Sequence, residues 1–418
     1  MMFSVSIGIT MSILFLCYPL TTLSFVSAES NAFRKYRGQS LYRNNDDDDS
    51  IAVSRSVTDI MNEESMSETL KLLEYYRQVE KNSDMTHPHR PTIWTTRLEA
   101  SKFVQDHVDA IMFDCDGVLY RGKDLSPDAS NTLQKLLENG KKCYFVTNNA
   151  AVNRQQLLQK ISDLMNCTLL TLEQMVGSTY ACTQYLKQHL PIGSRVHVIG
   201  SEGLCSEILD AGYHVSNGEE STVMQDKQSS SSLSSPGHVK HSMSREELAD
   251  YEFPEHPVDA VCVGLDTAFS YRKLAIANVL LQRNPNALFL STNQDAFDLV
   301  GGDGRHLPGN GCIVKALEHG SQRRAINVGK PSTILAQMIL QEHNLDPTRT
   351  MFVGDRLDTD IQFANDSGMI SVLVMTGVTT ADTLISQIDD PSRDDTEPPN
   401  ESSIIMPDII LPYMGLLA

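Results

Sequence analysis

From about Trp94 onward the chain alternates short apolar runs with stretches of helical period. Ala110 to Phe113 is an apolar run that ends at Asp114. "SPDASNTLQKLLENG" follows, with Ser126 as N-cap, Pro127 at the first helical position and Gly140 as the stop. "CYFV", residues 143–146, then runs into Thr147. Strand, helix and strand at this spacing predict a parallel pair. The same grammar returns near the end. "AINV" leads to Gly329 and Lys330, "PSTILAQMILQEH" starts a helix, and "TMFV" runs into Gly354 and Asp355. A helix from about Asp358 stops at Gly368, and "ISVLVM" follows. Four predicted strands thus finish at chemically capable residues: Asp114, Thr147, Lys330 and Asp355. In an open parallel sheet, ligands bind at the carboxyl ends of the strands.

The pattern predicts an α/β protein with a parallel-sheet core in two parts, 94–185 and 326–418. Residues 186–325 interrupt it with strand-like "RVHVIG" and "VDAVCVGL", helix-like "YRKLAIANVLLQ" and the strand "ALFLS". An insertion of that size can hold its own core. Inside it, residues 216–256 carry "KQSSSSLSSPG", a composition that predicts a disordered loop. Residues 29–93 read as a loosely ordered extension. Met66, Leu70, Leu73, Tyr76 and Val79 recur there at near-helical spacing, which predicts one amphipathic helix, with docking onto the main domain as its functional alternative.

Charge narrows the partners. Lys and Arg total 34 against 53 Asp and Glu, a formal charge of −19. Such a surface repels nucleic acid and anionic lipid. An anionic substrate must therefore be drawn by a local device, a metal ion or helix N-termini. At the N-terminus the apolar run Ile7 to Leu20 is short of the roughly 18 to 20 residues that span a bilayer. With the small-residue exit Val26-Ser27-Ala28, residues 1–28 are expected to be a cleaved secretory signal, leaving no membrane attachment. Ser30-Asn31-Ala32-Phe33 and the acid-free "RKYRGQSLYR" resemble two-part leaders that route proteins into the plastids of some algae; a cytoplasmic location is the alternative. Of eight cysteines, Cys17 lies in this signal. The others lack CxxC spacing, and Cys115, Cys143 and Cys262 sit in apolar runs, so buried thiols and no disulfide framework are expected.

The residues at the strand ends suggest one chemistry. A carboxylate such as Asp114 can attack phosphorus and form an acyl phosphate, provided a divalent cation neutralises the incoming oxygens. Asp116 can protonate the departing alkoxide and later take a proton from water. Gly117 lets the backbone turn tightly beside the ligand. Asp114 and Asp355 supply oxygen ligands for a hard cation such as Mg2+. Lys330 adds positive charge, and Thr147 with Asn148 can donate to phosphoryl oxygens. Taken singly, each motif is ordinary turn or cap chemistry. All four in order at strand ends point to a phosphoryl clamp.

The series "FDCDGVLYRG", "FVTNNA", "NVGKPS" and "MFVGDRLDTDI" resembles the four motifs of the haloacid dehalogenase superfamily. More closely it resembles the branch of phosphoglycolate, pyridoxal and 4-nitrophenyl phosphatases, over about residues 94–418. The resemblance implies a Rossmann-like core, an inserted α/β cap domain, Mg2+ dependence, hydrolysis of a small phosphorylated metabolite and a homodimer formed through the cap. It makes Asp114 the nucleophile and Asp116 the acid/base, with the Asp116 carbonyl also on the metal. Asp355 becomes a metal ligand, and Thr147, Asn148 and Lys330 bind phosphate. Asp360 positions Lys330 or a metal-bound water, and Gly117 and Gly354 support the loops.

The chain departs from its relatives at Ala150 and Tyr120, where Ser and Trp are usual, and lacks a proline in "STNQDAFDLVGGDGRHLPGNG". Near Asp298, relatives that favour pyridoxal phosphate place a histidine, and an acid there repels a substrate carboxylate. "VGLDTAFSYRKL" offers Asp266, Phe269 and Tyr271 as further specificity candidates; core packing is the other role for the aromatics, and a solvated helix position for Arg272. The reading is an Mg2+-dependent phosphatase with 2-phosphoglycolate as leading substrate. The alternatives are a pyridoxal 5'-phosphate or broad-range aryl phosphatase, and a catalytically inactive binding protein. Dehalogenation is disfavoured, because it has no use for a site of paired acids.

Overall fold

Ala110–Phe113 is buried at all four positions because it lies mid-sheet with both faces covered. In the computed structural model, which describes residues 56–81, 90–217, 244–249, 257–300, 305–389 and 405–418, this strand belongs to a seven-stranded sheet. The order is Thr92–Ile93, Ile409–Leu411, Ile370–Val374, Thr350–Gly354, Ala110–Phe113, Lys142–Thr147 and Met175–Gly177, parallel throughout. Ile111 and Phe113 point to one hydrophobic cluster and Ala110 and Met112 to the other, as a strand's period of two requires. The chain leaves this strand toward Lys142–Thr147 and returns on its other side at Thr350–Gly354. That reversal opens a crevice at the strand's carboxyl end, where Asp114 begins.

A second parallel sheet holds Ile326–Asn327, Leu288–Ser291, Ala260–Val263, Arg195–Ile199 and His214–Ser216, in that order. Its residues Val198, Cys262 and Leu290 share one hydrophobic cluster with Met112, Val146 and Phe352 of the larger sheet. The "AINV" run, expected in the core, pairs instead with Leu288–Ser291 of this smaller sheet. An apolar run specifies a strand but not the sheet it joins. Only Ile326 and Asn327 stay in register, with Leu290 and Ser291, before Val328 N–H closes the ladder on Ser291 O and the chain turns to Lys330.

Other expectations shift locally. The helix after Ser126 runs over Ala129–Glu138, and its N-cap position is Asp128. Ser126 instead closes a turn, its carbonyl accepting from Ala129 N–H, so three residues are spent before helical bonding begins. Gly140 ends the helix at φ +75 as expected. Gly368, at φ +70, ends the stretch that follows Asp355. The expected signal, the plastid-type leader and most of the serine-rich insertion lie outside the described residues. Among the described residues the seven cysteines form no disulfide, Cys115, Cys143 and Cys262 are buried, and no helix is long and apolar enough to cross a membrane.

The extension does hold a helix, Val57–Lys81, but its buried face is Met61, Ser65, Thr69, Leu72 and Tyr76. Leu70 of the expected stripe is 53% exposed. The face turns because Ser65 and Thr69 are small and satisfy their hydroxyls on the carbonyls of Asn62 and Ser65 of the same helix. Leu72 and Tyr76 then pack with Leu357, Met375, Ala381, Leu384 and Ile388 of the core. Leu72→Ala is expected to cost about 2–5 kcal/mol in urea denaturation, whereas Leu70→Ala stays within about 0.5 kcal/mol. Equal effects would refute this packing.

Candidate active site

Asp114, Lys330, Asp355 and Asp360 meet at the crevice from three segments. The Asp114 N–H donates to Val353 O at 2.9 Å, which locks the residue between two core strands. Lys330 Nζ lies 2.6 Å from Asp114 Oδ1 and 2.8 Å from Asp360 Oδ1, and donates to Val146 O at 3.3 Å. The Asp360 contact is off the line of a good hydrogen bond, so charge carries it. A π-helical turn over Leu357–Ile361 swings Asp360 back beneath Asp355, where its Oδ2 accepts the N–H groups of Asp355 and Arg356 at 3.0 and 3.1 Å. A Cβ on Gly354 would sit 2.1 Å from that of Asp360, so the turn needs glycine there. Gly117, at φ +89, is required for a similar reason: a Cβ would lie 2.5 Å from Asp355 Oδ2.

Asp355 is held by a loop that sequence reasoning missed. Its Oδ2 accepts Val378 N–H at 2.7 Å, and its carbonyl accepts Thr379 N–H at 3.0 Å. Thr376 Oγ1 donates to Gly117 O at 2.5 Å, tying this loop to the one that carries Asp116. The loop holds no charged side chain, so its sequence gives no chemical signal.

Three carboxylates, all under 9% exposed, thus surround one ammonium group. Burial pushes Asp114 up to about 7, Lys330 pulling it back and Asp360 adding to the rise. Burial also drives Asp355 well above the usual carboxylate range, with the Asp360 and Asp114 charges reinforcing it. Lys330 would be lowered by burial, but Asp114 and Asp360 outweigh that and hold it as an ammonium. The pocket remains short of positive charge. Oxygens of Asp114, Asp355 and Asp360 all lie within 4.8 Å of one another. Asp360 is committed to Lys330 and two backbone N–H groups, whereas Asp114 Oδ2 and Asp355 Oδ1 accept no hydrogen bond among the described residues. Those two oxygens fit a hard divalent cation.

Thr147 ends its strand at the same crevice, and its Oγ1 accepts Asn149 N–H at 3.1 Å, leaving the hydroxyl proton to donate elsewhere. The Asn148 side chain is engaged within the protein. Its Oδ1 accepts Lys330 N–H at 2.9 Å, while its amide donates to Lys330 O at 3.1 Å and to the Asp295 oxygens at 3.1 and 3.2 Å. Asn148 therefore fastens the lysine segment and the 293–297 loop to the core. Asp116 reaches solvent at the crevice, while surrounding protein raises its carboxyl above the ordinary range; Lys160 opposes that rise and Asp298 adds to it. Solvent screening limits the shift.

Of the specificity candidates Asp266, Tyr271 and Asp298, Asp298 is the one whose charge is felt at Asp116. Asp266 is buried, paired with Lys273 at 2.7 Å and accepting Ala268 N–H, so it shapes its own loop. Tyr271 is 59% exposed and lines a separate cavity of about 150 Å3 with Arg245 and Leu248. Phe269 packs against the smaller sheet's core, and Arg272 is buried, not solvated. Two unassigned residues join the site. Burial lifts Asp295 to about 6, against the pull of Arg356 and Lys330. Arg356 donates to Phe297 O at 3.2 Å and lies 5.1 Å over the Phe297 ring. Both stood in quoted motifs, "STNQD" and "VGDRLDTD", where only the neighbouring residues had been given roles.

A family model described as haloacid dehalogenase-like hydrolase matches residues 111–214, and a second, HAD-hydrolase-like, matches 327–395. Phosphoglycolate phosphatase 2 of Arabidopsis thaliana is 36% identical over 293 residues, 69% of this chain and 91% of its own. Glycerol-3-phosphate phosphatase of Gallus gallus is 36% identical over 284 residues, 68% of this chain and 84% of its own. The crystal structure of a hypothetical protein from Pyrococcus horikoshii OT3 superposes with a TM-score of 0.55 at 28% identity, covering 74% of this chain and 97% of that one.

The raised carboxyls fix the sign of a pH effect. Asp114 at about 7 and Asp295 at about 6 stay protonated in the fold where unfolded carboxyls, near 3.8, have ionised. The native state then binds more protons, so stability falls as pH rises from about 4 to about 7. Lys330 is charged in both states over this window and adds no slope. Melting temperatures of chelator-treated protein should fall across that range, and Asp114→Asn or saturating Mg2+ should flatten the trend. A chelated wild type whose melting temperature rises instead would contradict the buried-anion account.

Proposed function

Because the chain belongs to the haloacid dehalogenase-like hydrolases and is a phosphoric monoester hydrolase, we propose that it cleaves a small phosphate monoester through an aspartyl-phosphate on Asp114. The carrying observation is the convergence of Asp114, Asp355 and Asp360, whose oxygens lie within 4.8 Å of one another, with Lys330 in contact with Asp114 and Asp360. Asp114 and Asp355 would hold Mg2+, which when bound supplies positive charge to the phosphoryl oxygens.

In this reading one carboxylate oxygen of Asp114 attacks phosphorus as the ester P–O bond breaks, and its other oxygen is the one available to a cation. Lys330 keeps Asp114 oriented and favours its ionised form against burial, and Thr147 donates its remaining proton to a phosphoryl oxygen. Asp116, whose raised affinity for a proton suits a general acid, gives it to the leaving alkoxide. Water then attacks the acyl phosphate, Asp116 recovers its proton from that water, and inorganic phosphate leaves with Asp114 restored.

The leading substrate is 2-phosphoglycolate, supported by the similarity to a phosphoglycolate phosphatase along nearly the whole of that enzyme. Glycerol 3-phosphate is a second reading, favoured by Asp298. Its charge is felt at Asp116, where the leaving group departs, and it opposes a carboxylate there but not a neutral diol.

Phosphate release from 2-phosphoglycolate, glycerol 3-phosphate, pyridoxal 5'-phosphate and 4-nitrophenyl phosphate, with and without Mg2+, tests both levels. Asp114→Asn should lower kcat by about 10⁴-fold or more on every ester. Asp116→Asn should harm alkyl esters far more than 4-nitrophenyl phosphate, whose leaving group needs no proton. Asp298→Asn should raise kcat/KM for 2-phosphoglycolate by about 5-fold relative to glycerol 3-phosphate. Turnover surviving Asp114→Asn would sink the nucleophile assignment.

A further inference from the structure

We propose that the N-terminal helix Val57–Lys81 braces the acidic pocket, and that Glu68 is a positioning residue for Asp355. The inference rests on the reading of Asp355 as a cation ligand. The helix lies outside both segments matched by the family models. It nevertheless touches three of the segments that border the pocket. Thr58 Oγ1 donates to Leu125 O at 3.3 Å, in the hairpin that follows Asp116 and Gly117. Leu72 and Tyr76 pack with Leu357 and Ile361, from the turn that carries Asp360, and with Met375, which leads into the Thr376–Thr379 loop.

The tightest link is polar. Glu68 Oε2 accepts Ala381 N–H at 2.6 Å, at the start of the helix Ala381–Ile388. A carboxylate there satisfies one of the N–H groups that a helix start leaves without an internal partner and complements the positive end of its dipole. Thr380 Oγ1 accepts Thr383 N–H at 3.2 Å, completing the first turn. Farther along, Lys71 pairs with Asp382 at 2.7 Å and Tyr75 Oη donates to Asp389 at 2.5 Å, so the shorter helix is held at both of its ends. The peptide immediately before this anchored start is the loop that grips Asp355 through Val378 and Thr379. Only Thr380 separates Thr379 from Ala381. Glu68 thus fixes the far end of a lever whose near end aims the Asp355 carboxylate, leaving Oδ1 toward the crevice.

Amide hydrogen exchange and Mn2+ binding followed by electron paramagnetic resonance, both on the full chain, test this. Glu68→Ala should speed exchange at Val378 and Thr379 by about 10-fold while Phe113 and Val353 keep their protection, which reports an intact core. The same variant should weaken Mn2+ binding by about 10-fold, a loss typical of groups that orient metal ligands. Glu68→Gln keeps an acceptor oxygen and should stay near wild type in both. Wild-type exchange at Val378 and Thr379 in Glu68→Ala would overturn the brace, as would equal losses in the Gln and Ala variants. A wild-type chain that binds no Mn2+ would instead refute the cation reading of the pocket, and the exchange result would still decide whether Glu68 holds the loop.

Discussion

The Lys330 ammonium, buried between Asp114 and Asp360, is the interaction on which the pocket depends. Removing one partner of a buried ion pair strands the other in a poor solvent and costs about 3–5 kcal/mol. Here the imbalance is already present, because three carboxylates share one fixed cation. The arrangement is stable only if protons or a further cation make up the difference. A site that must recruit positive charge to remain ionised is also one that can bind a phosphate, so the electrostatic deficit and the chemistry have one origin.

That constraint also joins the two sheets. Lys330 arrives from the edge of the smaller sheet, through Ile326–Asn327, while Asp114 and Asp355 follow strands of the larger one. Asn148 bonds both the N–H and the carbonyl of Lys330, and with the same side chain holds Asp295 of the smaller sheet's loop. The ammonium therefore reaches the acids only when the segment between the two sheets is in place.

Much of this was legible because it is local. A four-residue apolar run followed by Asp, Thr or Gly-Asp specifies both a buried strand and the residue at its end, and Ala110–Phe113, Lys142–Thr147 and Thr350–Gly354 follow that rule. What was not legible depends on neighbours distant in sequence. The "AINV" run carries no mark of which sheet it will join. The N-terminal helix turns a face bearing Ser65 and Thr69 to the core because closeness of approach outweighs apolar count. Only the fold shows that the Asn148 amide bonds the Lys330 carbonyl and Asp295. The loop that aims Asp355 works through backbone N–H groups, which every residue but proline possesses, so no side-chain pattern announces it.

The residues that choose a substrate follow from the same charge distribution. In the proposed reading the phosphoryl end of a monoester meets Lys330, Thr147 and the pair of free carboxylate oxygens that suit a cation, a set indifferent to the rest of the molecule. Discrimination must then fall on the leaving group, near Asp116. Asp298 bears on that position from the loop after Asn293, and Arg356 fastens the same loop through Phe297 while offsetting part of the Asp298 charge. Because Arg356 directly follows Asp355, the backbone that presents the cation ligand also sets where the selective loop rests. A change in this loop can therefore alter preference among esters without disturbing the phosphoryl end, whereas a change at Arg356 is expected to alter both. The division between a fixed catalytic end and a variable selective end runs between these adjacent side chains, not along the boundary between the two sheets.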